Sequence, residues 1–211
     1  EEDISSLYMN VTNDASVCSF FKAENLAQRW GYLEGFYQLV GNYRRLNRNL
    51  QNILLYDTGG NLIAAKGDVF IPKQENLILY GLSTFSGCIT DKKTGESYFQ
   101  VGMPVYNQEE GKEYQEIGQV YLLFDVKELQ NAMDSALPDD DSAVAVLDRD
   151  GCILACAGTW MPEYGGFQEG FEDDEKLVYT SALGRTGWRL TSVVLKRNML
   201  SGITQMQKIN Y

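Results

Sequence analysis

Between Asp14 and about Leu50 the apolar residues keep helical spacing, with Leu26, Trp30, Leu33, Tyr37 and Val40 falling four, three, four and three apart on one stripe. A stripe of that kind has to cover something. A shorter helix precedes it around Val17, Phe20 and Phe21, with Asn13 or Asp14 as its N-cap, and the long helix follows from Glu24. Gly31, Gly35 and Gly41 each weaken the long helix by roughly 1 kcal/mol relative to Ala, so tertiary packing must hold it.

After Asn52 the period changes to that of strands. Ile53 to Tyr56 and Leu62 to Ala65 flank Asp57-Thr58-Gly59-Gly60-Asn61, whose Asp and glycines suit a tight hairpin turn. Residues 74–85 predict a short helix behind Pro72. Strands follow at Gly87 to Thr90, Tyr98 to Tyr106 and Gln119 to Asp125, then a helix over Val126 to Ala136. Pro138-Asp139-Asp140-Asp141 makes an acidic break, after which the hairpin pattern returns as Val144 to Leu147, Asp148-Arg149-Asp150-Gly151 and Ile153 to Ala157.

The two hairpins superpose without a gap: Tyr56-Asp57 falls on Leu147-Asp148, Gly60 on Gly151 and Ile63-Ala64 on Leu154-Ala155. A second echo links Gly118 to Asn131 with Gly187 to Leu200, each a glycine-led strand running into a helix with Lys127 or Lys196 near the junction. The second half is an abbreviated copy of the first, which points to internal duplication. The fold class expected is α+β, a long N-terminal helix packed on two antiparallel-sheet lobes, the second smaller. The divisions are a helical stalk over 1–52, a fuller lobe over 53–137, a reduced lobe over 138–200 and the start of a further helix over 201–211.

Strand alternation separates two faces. Phe99, Val101, Met103 and Val105 share one face with Val120, Leu122 and Phe124, which suits packing under the helix stripe. The opposite face carries Tyr98, Gln100, Gly102 and Pro104 beside Gln119, Tyr121, Leu123 and Asp125, the mixture of aromatic and polar groups that lines a ligand pocket. The candidate ligand-binding residues are therefore Tyr98, Gln100, Tyr121 and Asp125, with Tyr80 and Phe85 contributed by the helix over 74–85. The rings would stack on an apolar or sugar face. Asp125 either accepts from an amine or hydroxyl of the ligand or caps the Val126 helix.

Charge and composition remove several alternatives. With 29 acidic against 18 basic residues the formal charge is -11, which repels nucleic acid and anionic membrane surfaces. No histidine is present, which removes Ser-His-Asp and Cys-His nucleophile systems, histidine metal sites and a histidine haem ligand. No phosphate-cradling glycine motif occurs, and the acidic clusters Asp139 to Asp141 and Glu172 to Glu175 read as solvated loops, so neither a catalytic residue nor a cofactor or metal is expected. Cys18, Cys88, Cys152 and Cys156 read as buried small hydrophobes; Cys152 and Cys156 stand about 13 Å apart along a strand, too far to bridge, while a Cys18–Cys88 bridge stays open. No run reaches the ~20 apolar residues of a membrane span, so the segment is expected to be soluble and excised from a longer chain.

The element order, with Ile53-Leu54-Leu55-Tyr56-Asp57-Thr58-Gly59-Gly60, Ile117 to Leu129 and the closing Gly187-Trp188 strand with Leu195 to Leu200, is similar to the double Cache family of tandem PAS-like sensor domains. Val11 to Val17 resembles the ectodomain start of YesM-type sensor histidine kinases. The resemblance implies an extracytoplasmic domain anchored in the cell membrane by transmembrane helices on either side. Such a domain senses a carbohydrate, amino acid or other nutrient and works as a homodimer in a two-component kinase, with a chemotaxis receptor, a diguanylate cyclase or a soluble PAS module as alternatives. It also implies that Asp125 corresponds to the strand-end aspartate that contacts the ligand amine in amino-acid-sensing members.

Overall fold

Side-chain caps set where the helices start. α1 (Glu2–Thr12) is followed by α2 (Ala15–Lys22), whose N-cap Asp14 accepts from the Ser16 amide, and by α3 (Leu26–Leu46), whose N-cap Asn25 accepts from the Gln28 amide. The computed structural model describes residues 2–67, 70–72, 78–80, 83–107, 115–137, 140–159, 175–184 and 186–197. Asp139, Glu172 to Asp174 and the helix expected over 201–211 lie outside them. Among the described residues no helix is long and apolar enough to cross a membrane.

The chain divides into two compact units, Glu1–Asp125 and Val126–Tyr211. The first is built on β1 (Leu50–Tyr56), β2 (Leu62–Ala64), β3 (Ile78–Tyr80), β4 (Ser83–Phe85), β5 (Ile89–Thr90), β6 (Ser97–Tyr106) and β7 (Glu116–Asp125). These form an antiparallel sheet in the order β2-β1-β7-β6-β4-β3, with β5 also paired to β6. The helix expected over 74–85 is therefore replaced, where the chain is described, by the two short strands β3 and β4. Ser83-Thr84-Phe85 holds a β-branched and an aromatic residue, and pairing with β6 at Thr84–Gly102 and Phe85–Val101 supplies the backbone partners that a helix would otherwise have provided.

The helices cover one face of this sheet. Val17, Phe20, Phe36, Leu39 and Val40 pack on Val101, Met103, Val105, Val120, Leu122 and Phe124, as the alternation predicted. Each of these side chains contributes about 1.5–3 kcal/mol by burial, more than offsetting roughly 1 kcal/mol for each helical glycine. Only the C-terminal half of the expected α3 stripe takes part. Leu26 and Trp30 stand 72% and 71% exposed, because the first turns of α3 run beside the edge strand β2 with a groove between them.

The second unit contains α4 (Lys127–Ala136), β8 (Ala143–Leu147), β9 (Ile153–Gly158), β10 (Lys176–Leu183) and β11 (Trp188–Leu195), its sheet ordered β10-β11-β8-β9. That order repeats β6-β7-β1-β2 of the first unit. The copy extends to single atoms. Asp57 Oδ1 accepts from the amides of Gly59 and Asn61, and Asp148 Oδ1 from those of Asp150 and Cys152. Gly60 and Gly151 take φ of 78° and 84°, and the register shifts at Leu55/Tyr56 and again at Val146/Leu147. The strand β10 was not legible in the sequence, its exposed positions blurring any alternation.

α4 is fixed to the edge strand β9 by Gln130, whose amide donates to the Cys156 carbonyl and accepts from the Cys156 amide, satisfying backbone groups an edge strand leaves open. Trp188 is buried at the start of β11. No disulfide joins the four cysteines; contrary to expectation none is fully buried and Cys152 is exposed, since it lies in the turn before β9 begins.

Gly118 tests the packing of helix on sheet. A Cβ there would meet the Phe21 ring at 2.1 Å and the Tyr56 carbonyl oxygen at 2.8 Å, whereas one at Gly31 would meet nothing within 4 Å. In urea unfolding, Gly118→Ala should destabilise by about 1–3 kcal/mol, and Gly31→Ala, on an exposed turn of α3, should stabilise by about 0.5–1 kcal/mol.

Candidate ligand site

The face of the first sheet turned away from the helices follows from the register of β6 and β7. Tyr98 pairs with Asp125, Gln100 with Leu123 and Gly102 with Tyr121, so these six side-chain positions share one face. β1 adds Asn52 opposite Leu123, Leu54 opposite Tyr121 and Tyr56 opposite Gln119. An antiparallel sheet commonly leaves its second face to water, yet Asn52, Leu54, Tyr56, Tyr98, Gln100, Tyr121, Leu123 and Asp125 are all buried. Chain following β2 lies over part of it: Ala65 packs on Leu54, Tyr56 and Tyr121, and Phe70 stacks on Tyr98 with ring centroids 5.4 Å apart.

Gln100 is at the centre. It is 0% exposed, and neither the oxygen nor the nitrogen of its side-chain amide has a hydrogen-bond partner among the described residues. Its backbone amide is satisfied by Ser86 Oγ at 2.8 Å, which leaves the side chain as the unsolved part. An amide buried without partners costs about 1–3 kcal/mol. By sheet geometry Gln100 lies diagonally between Tyr121 and Asp125, roughly 7–8 Å from each.

One end of the face is acidic. The Asp125 carboxylate accepts from Gln51 Nε2, and the Tyr98 hydroxyl donates to Glu96 at 2.7 Å. Burial, then the hydrogen bond and charge of Glu96, then the charges of Asp91 and Asp125, push the Tyr98 hydroxyl up to about 12. Every charge named in that shift is negative. Asp125 does not cap the following helix: α4 takes Val126 as its N-cap, without a side-chain hydrogen bond. At the other end Tyr121 donates to Gln119 at 3.1 Å and meets Tyr56 edge-on, with centroids 5.2 Å apart.

The structure thus brings Tyr98, Gln100 and Asp125 together and places Tyr121 on the same face, about 13 Å along β7 from Asp125. Phe85 is not with them. It pairs with Val101 and packs on the helix-side core, as its place in a strand rather than a helix requires. Tyr80 ends β3, and its side chain lies outside the description. Sequence reasoning missed Glu96, Gln51, Ser86 and Phe70. Glu96 was within reach, two residues before Tyr98 and just ahead of β6. Gln51 was not, because it approaches Asp125 only through a register shift between Leu50 and Asn52.

The fold is thus two lobes of antiparallel sheet, with helices over one face of the first and a buried polar centre on the other. No protein-family profile matches the chain, and no curated protein sequence matches it. Among solved structures the chain is similar to the extracellular domain of vpHK1S-Z8, assigned as a histidine kinase (TM-score 0.61, 12% identity, 92% of this chain and 85% of that one). It is also similar to the ligand-binding domain of the Pseudomonas aeruginosa PAO1 amino acid chemoreceptor PctC in complex with GABA (TM-score 0.56, 15% identity, 92% and 94%). A third is the ligand-binding domain of the Pseudomonas fluorescens chemoreceptor CtaA in complex with L-leucine (TM-score 0.55, 16% identity, 92% and 88%). At these identities the likeness establishes the fold.

Two tyrosines, half-buried Tyr8 and buried Tyr98, set an alkaline limit. Tyr8, whose hydroxyl donates to the Pro104 carbonyl, is pushed up to about 12 by burial, as Tyr98 is, against a usual value of 10. Between pH 10 and 12 the unfolded chain releases protons that the folded chain retains, so stability falls as pH rises through that window. The urea midpoint should decline over that range, with a shallower slope for Tyr98→Phe; an unchanged slope would count against the burial of this hydroxyl.

Proposed function

We propose that the chain is the extracytoplasmic small-molecule-sensing region of a bacterial membrane receptor of the double Cache type. On this reading the first unit binds the ligand, and the second, which repeats the hairpin-and-strand core, passes the change toward the membrane. Transmembrane helices would flank the region in the full receptor, which would work as a homodimer. A sensor histidine kinase is the favoured output, on the YesM-like opening of the chain; a chemoreceptor shares the same fold.

The observation that carries this reading is the Gln100 amide, wholly buried and without partners, on a face whose neighbours are aromatic and acidic. A buried amide of that kind is retained because something else completes its hydrogen bonds. The Asp125 carboxylate, the Glu96 carboxylate beside the Tyr98 hydroxyl and the Phe70–Tyr98 ring pair favour a ligand carrying a protonated amine, held by charge and by cation–π contact. The solved chemoreceptor domains named above hold GABA and L-leucine, both amines. A carbohydrate is the second reading, supported by the tyrosines and the glutamine alone.

A thermal-shift screen of amino acids, simple amines, organic acids and sugars separates the two. Amines should raise the melting temperature, since a ligand at 100 times its dissociation constant adds about 2.7 kcal/mol. Asp125→Asn should remove the shift for amines while the unliganded protein melts cooperatively. A shift from a sugar that survives Asp125→Asn would replace the amine reading with the carbohydrate one.

A further inference from the structure

A second feature lies on the opposite side of the first unit. The groove between α3 and β2 has a volume of about 520 Å³ and is lined by Phe20, Leu26, Arg29, Trp30, Tyr37 and Leu62 among others. That is the size range of small-molecule sites, about 300–1,000 Å³. Its rim is costly as it stands: Leu26, Trp30 and Leu62 are 72%, 71% and 37% exposed, although their spacing on α3 and β2 is that of core residues. Arg29 brings the one charged side chain into this lining, and its Nε is buried without a hydrogen-bond partner among the described residues. Arg29 contributes least to holding the Asp57 carboxyl low, after Asn61 and Gly59, and the Asp57 oxygens are engaged by the amides of Gly59 and Asn61 and by the Asn61 side chain.

We infer that this groove is a second ligand site, for a small amphipathic organic acid whose carboxylate meets Arg29 and whose hydrocarbon part lies along Trp30 and Leu26. A guanidinium set in an apolar wall gains most from a planar carboxylate, which it holds through charge-assisted hydrogen bonds. The hydrocarbon part would remove the exposed rim from water. The volume suits a medium-chain or aryl-substituted acid, and the single cation selects an acid over a neutral or basic compound in a chain of charge -11.

Decanoate, titrated below its micellar range and followed by tryptophan fluorescence, tests this. Saturable binding is expected, with the signal lost in Trp30→Phe. Decanamide, which has the same tail without the charge, should bind about tenfold or more weakly. Arg29→Met, which keeps the apolar stem, should weaken decanoate to the level of decanamide, and Arg29→Lys should fall between. Absence of binding overturns the proposal, as do equal affinities for decanoate and decanamide, or an Arg29→Met variant that circular dichroism shows folded and that binds as tightly as the original. Sedimentation adds a further check: if decanoate does not bind and a dimer dissociates on Trp30→Asp, the groove is an interface between copies and the proposal fails.

Discussion

Everything at the candidate site hangs on the register of β6 against β7. In a sheet the side chains alternate with period two, so a slip of one residue would turn Val101, Met103 and Val105 out from under the helices and bring Gln100 in among Phe36, Leu39 and Val40. The cost of that slip comes from both faces at once, because the helix face loses its apolar contacts and gains a buried amide. The dry face therefore holds the wet one in place. A side-chain amide without partners among the described residues, that of Gln100, can persist at the centre of the sheet because its neighbours in the strand are fixed by the core on the other side.

The duplicated hairpin belongs to that scaffold. Asp57 and Asp148 close the same turn with the same backbone amides, and the strand order of the second unit repeats four strands of the first. Asp57 spends both oxygens on the turn, and Asp148 its Oδ1. Among the described residues the units differ in what surrounds the repeated core: the first has β3, β4 and β5 with Phe70 and Ser86 near the face that carries Gln100, and the second has α4, locked to its edge strand by Gln130.

Which parts were legible in the sequence follows from the range of the forces involved. The hairpins announce themselves locally through Asp and Gly at fixed offsets, and the two faces of β6 and β7 through alternation, which puts Tyr98, Gln100 and Asp125 on the one face they share in the sheet. The helix expected over 74–85 failed because short strands borrow their stability from a distant partner, here β6, which local spacing does not reveal. Phe85 changed faces with it. Leu26 and Trp30 have the spacing of buried residues and are exposed, since periodicity states which residues share a side of a helix and not how far the neighbouring sheet extends. Gln51 reaches Asp125 through a register shift that leaves no trace in composition.

The central claim is that Gln100 is kept for a ligand and not for the fold, and Gln100→Leu measures it directly. The leucine matches the volume closely and removes the unpartnered amide, so the unliganded variant should unfold at the same or higher urea concentration, by about 1 kcal/mol, while the thermal shift given by the binding amine disappears. A variant that is clearly destabilised without ligand, or one that retains the full ligand-induced shift, would contradict the account.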